Sequence, residues 1–175
     1  MQNYVGFIEF DTLGKDVDFG ESNEPVGNKA GGFYIEQVAP RTFLLSGNQT
    51  VYCMDSASNV LFKRSYTFSL SGVGIVTNNI MRVKMLRDGS LMALGQAYEE
   101  DCWDNWQRYY WDIWYSPISY PSGTNSRWLT AGVKRSNDIG YDFTQLVNGN
   151  LVFVGNRGDF NPSAVWVLVT DSNRG

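Results

Sequence analysis

Short runs in which apolar and polar residues alternate, separated by turn residues, recur along the chain. The clearest pair lies near the C-terminus, where the runs 141–147 and 151–155 flank Asn148-Gly149. Two such runs joined by Asn-Gly indicate a β-hairpin, because a tight two-residue turn needs positive φ at both of its positions. No window shows helical periodicity with capping residues. The pattern therefore predicts an all-β protein.

The apolar runs also repeat at a long interval. A glycine closes such a run at Gly47, Gly95 and Gly155, and Asp88-Gly89 and Asn148-Gly149 precede the second and third runs. Four short strands in each interval of roughly 50 residues are typical of a propeller blade. We predict a single domain, residues 1–175, with repeat intervals of approximately 11–55, 55–119 and 119–171.

Residues that come after the closing glycine also recur in the same order from one interval to the next. Trp114 in the second interval matches Trp166 in the third, and Tyr52 stands roughly where the first interval should have its tryptophan. We therefore predict a β-propeller-like fold of about three four-stranded antiparallel blades, either partial or completed by oligomerisation. A two-layer β-sandwich is the alternative, since it is also built from short alternating strands with frequent turns.

This order of glycine, aspartate and tryptophan resembles the repeats of bacterial surface β-propellers of the Bacteroidetes type. The residues that carry the resemblance are Asp88-Gly89, Gly95, Asp112-Ile113-Trp114, Gly123 and Trp128, and then Asn148-Gly149, Gly155, Val165-Trp166 and Asp171. The resemblance implies a propeller fold and an extracellular or cell-surface location. It implies little about activity, because propellers carry many unrelated functions.

The number of strands is unusual for a propeller. The chain opens on a strand that matches the third strand of a repeat interval, Tyr4 to Phe10, and ends on another such strand, Val165 to Thr170. Closed propellers usually have at least four blades, and an open stack of sheets leaves unpaired strand edges. We therefore expect a homo-oligomer or a part of a longer propeller.

Composition narrows the list of partners. The formal charge of −4 argues against a nucleic-acid partner, because such a surface needs clustered cations. No apolar stretch is long enough to span a membrane, and the N-terminus lacks the basic and apolar regions of a secretory signal. Apart from the resemblance, the sequence leaves the location open. Cys53, in an apparent strand, and Cys102, in an apparent loop, are predicted to be free thiols.

The segment 96–112 departs from the repeat and is predicted to be a long loop rich in acids and aromatic rings. Aromatic faces beside carboxylates suit sugar recognition, in which rings stack on the sugar and acids bind hydroxyl groups, and they also suit a protein contact. The candidate ligand-binding residues are Trp103, Trp106, Tyr109, Asp101 and Asp104.

The sequence contains few residues of the kinds that usually carry out catalysis. The chain has no histidine, which removes histidine-dependent nucleophile pairs and most zinc sites, and the acids of segment 96–112 lack EF-hand spacing. We predict no catalytic residue, no metal site and no cofactor. The leading hypothesis is a non-enzymatic binding or assembly module for a glycan or a protein. The alternatives are a carboxylate-based glycoside hydrolase and a purely structural surface or virion component.

Overall fold

The structure, a computed structural model, describes residues 6–10, 16–21, 34–47, 49–57, 59–66, 74–103, 106–124, 129–131, 137–158 and 164–170. This part of the chain contains thirteen β-strands and no helix. The strands are β1 (Gly6–Phe10), β2 (Asp16–Glu21), β3 (Tyr34–Ala39), β4 (Thr42–Gly47), β5 (Thr50–Asp55), β6 (Val60–Ser65), β7 (Gly74–Met85), β8 (Leu91–Trp103), β9 (Trp106–Ile118), β10 (Leu129–Ala131), β11 (Asp138–Gln145), β12 (Leu151–Arg157) and β13 (Ala164–Thr170). The predicted all-β class is confirmed.

The strands form antiparallel sheets in which neighbours along the chain are neighbours in the sheet. Sheet 1 contains β3 to β6, sheet 2 contains β7 to β10, and sheet 3 contains β11 to β13. Strands β1 and β2 pair as a separate two-stranded ribbon. Short turns suffice for such connections, which is why turn residues punctuate the sequence so regularly.

The first hairpins of sheets 2 and 3 close through the same turn. The Gly89 N–H donates to Leu86 O at 3.0 Å, and the Gly149 N–H donates to Leu146 O at 3.0 Å. Both glycines have positive φ, 81° and 90°, whereas Asn148 does not. The predicted two-residue turn with two positive φ angles is therefore wrong. The reason is that the side chain of Asn148 accepts the Asn150 N–H at 3.1 Å, which favours a longer turn closed by the glycine.

Asp88 fills the place of Asn148 in the sheet 2 turn, and this difference predicts a pH effect. The Ser90 hydroxyl and the Ser90 N–H both donate to its Oδ1, at 2.6 and 2.9 Å, which lowers the pKa of Asp88 below the ordinary 3.8. A lowered pKa stabilises the fold above 3.8, and this contribution is lost as the pH falls through the lower folded value. We expect wild type and Asp88→Asn to have the same melting temperature near neutral pH. Below pH 3.8 the melting temperature of wild type should fall more than that of the variant. Parallel acid profiles would contradict this.

The three closing glycines lie at the same register in their sheets. Gly47 pairs with Thr50, Gly95 with Trp114 and Gly155 with Trp166. Four residues earlier on the same strands, Phe43 pairs with Met54, Leu91 with Ile118 and Leu151 with Thr170. The position that matches the two tryptophans is therefore Thr50. The prediction that Tyr52 occupies it is wrong, because Tyr52 pairs with Leu45, two residues before Gly47.

The sheets pack in chain order, and each uses its two faces in the same way. We call the face that meets the following sheet the forward face and the opposite one the back face. Leu44, Val51 and Cys53 on the forward face of sheet 1 pack with Val83, Leu91 and Trp114 on the back face of sheet 2. Met92, Leu94 and Ile113 on the forward face of sheet 2 pack with Phe143, Leu151 and Phe153 of sheet 3. The described core thus lies in layers between three sheets, one more sheet than a two-layer sandwich has.

The prediction that segment 96–112 forms a loop is wrong. Strands β8 and β9 stay paired through this segment, from Gln96 opposite Ile113 to Trp103 opposite Trp106. The charges suggested a loop, but each acid of β8 has a partner that a sheet accommodates: Asp101 lies opposite Arg108, and the two glutamates lie opposite Tyr110 and Tyr109. Such pairs are compatible with a sheet, and the aromatic residues favour it. Cys102 therefore lies in a strand, and Cys53 is a buried free thiol whose pKa burial raises to about 11.

Candidate functional site

The structure places the predicted ligand-binding residues at the far end of the β8–β9 hairpin. Asp101 and Trp103 end β8, Trp106 and Tyr109 begin β9, and Asp104 lies outside the described residues. The backbone register brings Trp103 opposite Trp106, but the side chains of all five lie outside the described part of the chain. The structure therefore assigns these residues to one hairpin and leaves their binding role a prediction.

The base of this hairpin is fixed to sheet 3. The Trp111 N–H donates to Asn137 Oδ1 at 3.0 Å, and Gln96 Nε2 donates to Gly140 O at 3.3 Å. The rings of Tyr98 and Trp111, which are cross-strand partners, lie with their centroids 4.9 Å apart. The two hydrogen bonds orient the hairpin relative to sheet 3, and the ring contact joins the two strands of the hairpin to each other.

A second group of polar residues lies where the first strands of the three sheets meet. Strand β7 lies against β3 on one side and β11 on the other. We call these residues the first-strand cluster: Tyr34 and Glu36 of β3, Arg82 and Lys84 of β7, and Asp142 of β11. Tyr34, Arg82 and Asp142 occupy one register position, because they pair with Ser46, Leu94 and Val154, the residues just before the three closing glycines.

Lys84 joins sheet 2 to sheet 3 within the cluster. Its Nζ lies 2.7 Å from Asp142 Oδ1 and donates to Phe143 O at 2.8 Å. The two side chains of the ion pair are 21% and 44% exposed, so solvent screens the attraction only partly. A charge-assisted bond to the carboxylate and a bond to the backbone hold the ammonium group at a fixed place.

Arg82 joins sheet 1 to the same carboxylate. Its guanidinium carbon lies 4.5 Å from the centroid of the Tyr34 ring, and its Nε lies 3.9 Å from Asp142 Oδ1. The Tyr34 hydroxyl donates to Glu36 Oε2 at 3.1 Å. Burial and the nearby Glu36 charge raise the pKa of Tyr34 to about 12. The phenol therefore stays a hydrogen-bond donor at neutral pH and cannot serve there as a base.

A cavity of about 350 Å³ opens beside the cluster. It is lined by residues from all three sheets: Glu36, Lys84, Met85, Leu86, Arg87, Phe143, Thr144 and Gln145. Gln145 braces its wall, because the Oε1 of this side chain accepts the Arg87 N–H at 2.9 Å and its Nε2 donates to Gly149 O at 3.2 Å. The volume is near the lower end of the roughly 300–1,000 Å³ that ligand pockets span.

Sequence reasoning missed the cavity because its residues are distributed over more than a hundred positions. Glu36, Lys84 and Thr144 come from different intervals and meet only because first strands are neighbours in space. A usable signal was present: aligning the three intervals on their closing glycines places these residues in one column, opposite Leu44, Met92 and Val152. Polar residues at matching positions of neighbouring first strands point to a shared polar site.

The described residues contain no cluster of three or more potential metal-binding side chains. They also include no helix that could cross a membrane.

The fold and the cavity define an all-β protein of stacked antiparallel sheets with a polar cavity at their first strands. The chain matches no protein-family model and no curated protein. Among solved structures it is similar to a protein of unknown function from Bacteroides caccae, with 8% sequence identity and a TM-score of 0.34. That similarity covers 99% of this chain and 74% of the other.

Proposed function

We propose that the three sheets are copies of one unit arranged like the blades of a propeller. Three observations support this arrangement: the strands of each sheet follow chain order, the closing glycines share one register, and the forward faces of sheets 1 and 2 each meet the back face of the next sheet. The contacts of β7 with both β3 and β11 suit blades whose first strands surround a common axis. The relationship to bacterial surface β-propellers remains a proposal that rests on motifs alone.

On this fold, the protein acts as a non-enzymatic binding module that takes its ligand in the cavity beside the first-strand cluster. The observation that carries the proposal is the convergence of polar residues from three sheets on one cavity. Thr144 and Arg87 are exposed at the cavity, and Glu36, Lys84 and Gln145 are half-buried there and have hydrogen-bonding capacity beyond the bonds they already make. A ligand with several hydrogen-bonding groups can use that capacity.

The chemistry of the lining favours an uncharged, hydroxyl-rich ligand, that is, a glycan. Lys84 is already neutralised by Asp142, and the remaining charges of Glu36 and Arg87 balance. Sugar hydroxyls both donate and accept, which fits a carboxylate, a hydroxyl, an amide and two cations around one space. Arg82 shares Asp142 with Lys84, so the cluster and the cavity together hold three cations and two carboxylates, a net charge of only +1.

Binding fits the cluster better than glycoside hydrolysis. Hydrolysis needs two carboxyl groups that face the bond to be cleaved from opposite sides. The carboxylate of Glu36 already accepts the Tyr34 hydroxyl, and that of Asp142 is engaged by Lys84. The rival hydrolase, to which Asp101, Asp104 or Glu100 would supply the two carboxyl groups, requires measurable sugar release by the wild-type protein. Release that Asp101→Asn and Asp104→Asn abolish would favour the rival.

Replacing Thr144 by valine is expected to weaken glycan binding several-fold, because it removes one hydroxyl from the cavity and keeps the shape of the side chain. Glu36→Gln, which removes a charged acceptor, should weaken binding about tenfold. The measurement is isothermal titration of each variant with the best neutral glycan from an array screen. Thr130→Val, at an exposed position of β10, is the matched control and should bind like wild type. Wild-type affinity in both cavity variants would refute the assignment.

The aromatic hairpin is a second candidate for the ligand site. Its supporting observation is the pairing of Trp103 with Trp106 beyond the contact between Tyr98 and Trp111, which continues the aromatic character to the hairpin end. Trp103→Ala and Trp106→Ala separate the two sites. Loss of binding in these variants, with normal binding in Glu36→Gln, would move the ligand to the hairpin.

A further inference from the structure

The chain contains one Asn-Gly pair, Asn148-Gly149, and it lies in the turn between β11 and β12. Asn148 is exposed, and the preceding Val147 is 87% exposed, so water has free access to this turn. Asparagine is chemically labile where the next backbone nitrogen can reach the carbonyl carbon of its side chain. A glycine leaves that approach open, because it has no Cβ. The pair therefore combines a reactive asparagine with an exposed position.

The fold already polarises the side-chain carbonyl of Asn148. The Asn150 N–H donates to Asn148 Oδ1 at 3.1 Å. Attack on the carbonyl carbon moves negative charge onto Oδ1, and an N–H that already points at this oxygen stabilises that charge. The bond from the Gly149 N–H to Leu146 O, at 3.0 Å, opposes the attack because it engages the nitrogen that must react. Local opening of the turn frees this nitrogen without global unfolding.

The same turn is connected to the cavity through Gln145. This side chain lines the cavity, and its Nε2 donates to Gly149 O at 3.2 Å. Its Oε1 accepts the Arg87 N–H at 2.9 Å, so Gln145 links the turn of sheet 3 to the turn of sheet 2. A change in the path of the backbone at Gly149 therefore reaches the cavity wall through a hydrogen bond.

We propose that Asn148 is a deamidation site and that its isoaspartate product loosens the wall of the cavity. In the first step the Gly149 nitrogen forms a bond to the side-chain carbonyl carbon of Asn148. The side-chain nitrogen leaves as ammonia, which carries away the proton of the Gly149 nitrogen. Solvent water then opens the cyclic imide at either of its carbonyl carbons, which gives aspartate or isoaspartate. No atom is oxidised or reduced, and water is the only co-reactant.

The two products differ in what they do to the turn. Aspartate leaves the backbone unchanged, and the turn of sheet 2 shows that a carboxylate fits there: Asp88 occupies the place of Asn148 and accepts the Ser90 N–H at 2.9 Å. Isoaspartate instead runs the main chain through the side-chain carbons, which lengthens the turn by one carbon atom. Gly149 O then moves away from Gln145 Nε2, and a bond that braces the cavity wall is lost.

Peptide mass spectrometry of the full chain, aged in mildly alkaline buffer, tests the site. We expect position 148 to gain the mass of a deamidation and to contain both aspartate and isoaspartate. Asn78 and Asn137, which are followed by larger residues, are internal controls and should convert at least several-fold more slowly. Equal rates at the three asparagines, or an aged chain without isoaspartate at 148, overturn the inference.

Amide spectra of the same aged sample test the connection to the cavity without any ligand. We expect an additional Arg87 amide resonance whose intensity follows the isoaspartate fraction, because Arg87 shares Gln145 with the turn. Freshly prepared Asn148→Asp and aged Asn148→Ser are the matched controls and should not show it. The first has the other product, and the second keeps a side-chain acceptor but cannot form the imide. An Arg87 amide that does not respond to isoaspartate overturns the proposed loosening.

The consequence for ligand binding rests on the proposed function. In isothermal titration the isoaspartate fraction should bind the neutral glycan several-fold more weakly, whereas fresh Asn148→Asp and Asn148→Ser should keep the wild-type affinity. Unchanged glycan affinity in a sample whose Arg87 amide has shifted would overturn this consequence. If fresh wild-type protein binds no glycan, the proposed function fails, while the mass and amide measurements still decide the deamidation site.

Discussion

Gly95→Ala is expected to lower the free energy of unfolding by about 3 kcal/mol, the upper part of the range for overpacked cores. A Cβ at this position would lie 2.1 Å from the ring of Trp114 and 2.6 Å from the Asn79 carbonyl oxygen. Trp114 is fully buried, so its ring has little room to move away. Urea unfolding followed by tryptophan fluorescence measures the change.

Gly89→Ala is the control for this substitution. Its Cβ would meet nothing within 4 Å, although its φ of 81° strains an alanine by about 1 kcal/mol. The difference between the two variants isolates the steric contact from the conformational freedom of glycine. Equal losses of stability in Gly95→Ala and Gly89→Ala would show that the ring does not pack on the backbone at Gly95.

Trp114→Ala is expected to cost about 3–5 kcal/mol, because it empties the largest fully buried side chain of the core between sheets 1 and 2. Trp166→Ala, the substitution at the matching position of sheet 3, should cost less, since Trp166 is only partly buried and bonds Asn156 O through its Nε1 at 2.8 Å. Chemical denaturation of both variants provides the comparison.

Combining Trp114→Ala with Gly95→Ala tests whether the two residues act as a pair. Removing the ring makes space for the new Cβ, so the double variant should lose less stability than the sum of the two single variants. Strict additivity would contradict direct packing of the Trp114 ring on Gly95. If Trp114→Ala lowered the free energy of unfolding no more than Trp166→Ala does, the central place of Trp114 in the core would be contradicted.

The sequence allowed prediction of most strands, because the strongest signals are local. The hairpin around Asn148-Gly149 was predicted, and the structure has β11 and β12 there. The dipeptide alone does not determine the turn type. The Asn148 side chain accepts a hydrogen bond from the Asn150 N–H, and this bond favours the longer of two possible turns. Prediction was wrong at segment 96–112, where charge was given more weight than cross-strand pairing.

The candidate site was largely beyond sequence reasoning. Aromatic and acidic residues that are adjacent in sequence drew attention to Trp103 and Trp106, whereas the cavity is formed by residues far apart in the chain. Lys84 and Asp142 are 58 residues apart, and no local pattern predicts their 2.7 Å contact. Only the three-dimensional adjacency of first strands, which depends on how sheets pack, brings them together.

The fold and the proposed function are connected through this adjacency. If the three sheets are copies that stack in order, their first strands lie on the same side of the stack. Residues at matching positions of these strands are then close to one another. Polar residues at those positions, Tyr34, Arg82 and Asp142, then contact one another across sheets. The sheet faces hold the apolar core, so the first-strand edge is where the fold can place a polar cavity.

Chemical-shift mapping of backbone amides during titration with neutral disaccharides tests the central claim most directly, since it locates a ligand on the chain. The account predicts that the largest shifts fall on Glu36, Lys84 and Thr144, one residue from each sheet, and on the neighbouring Arg87 and Gln145. Shifts confined to the hairpin between Tyr98 and Trp111, or no shifts with any sugar, would contradict it.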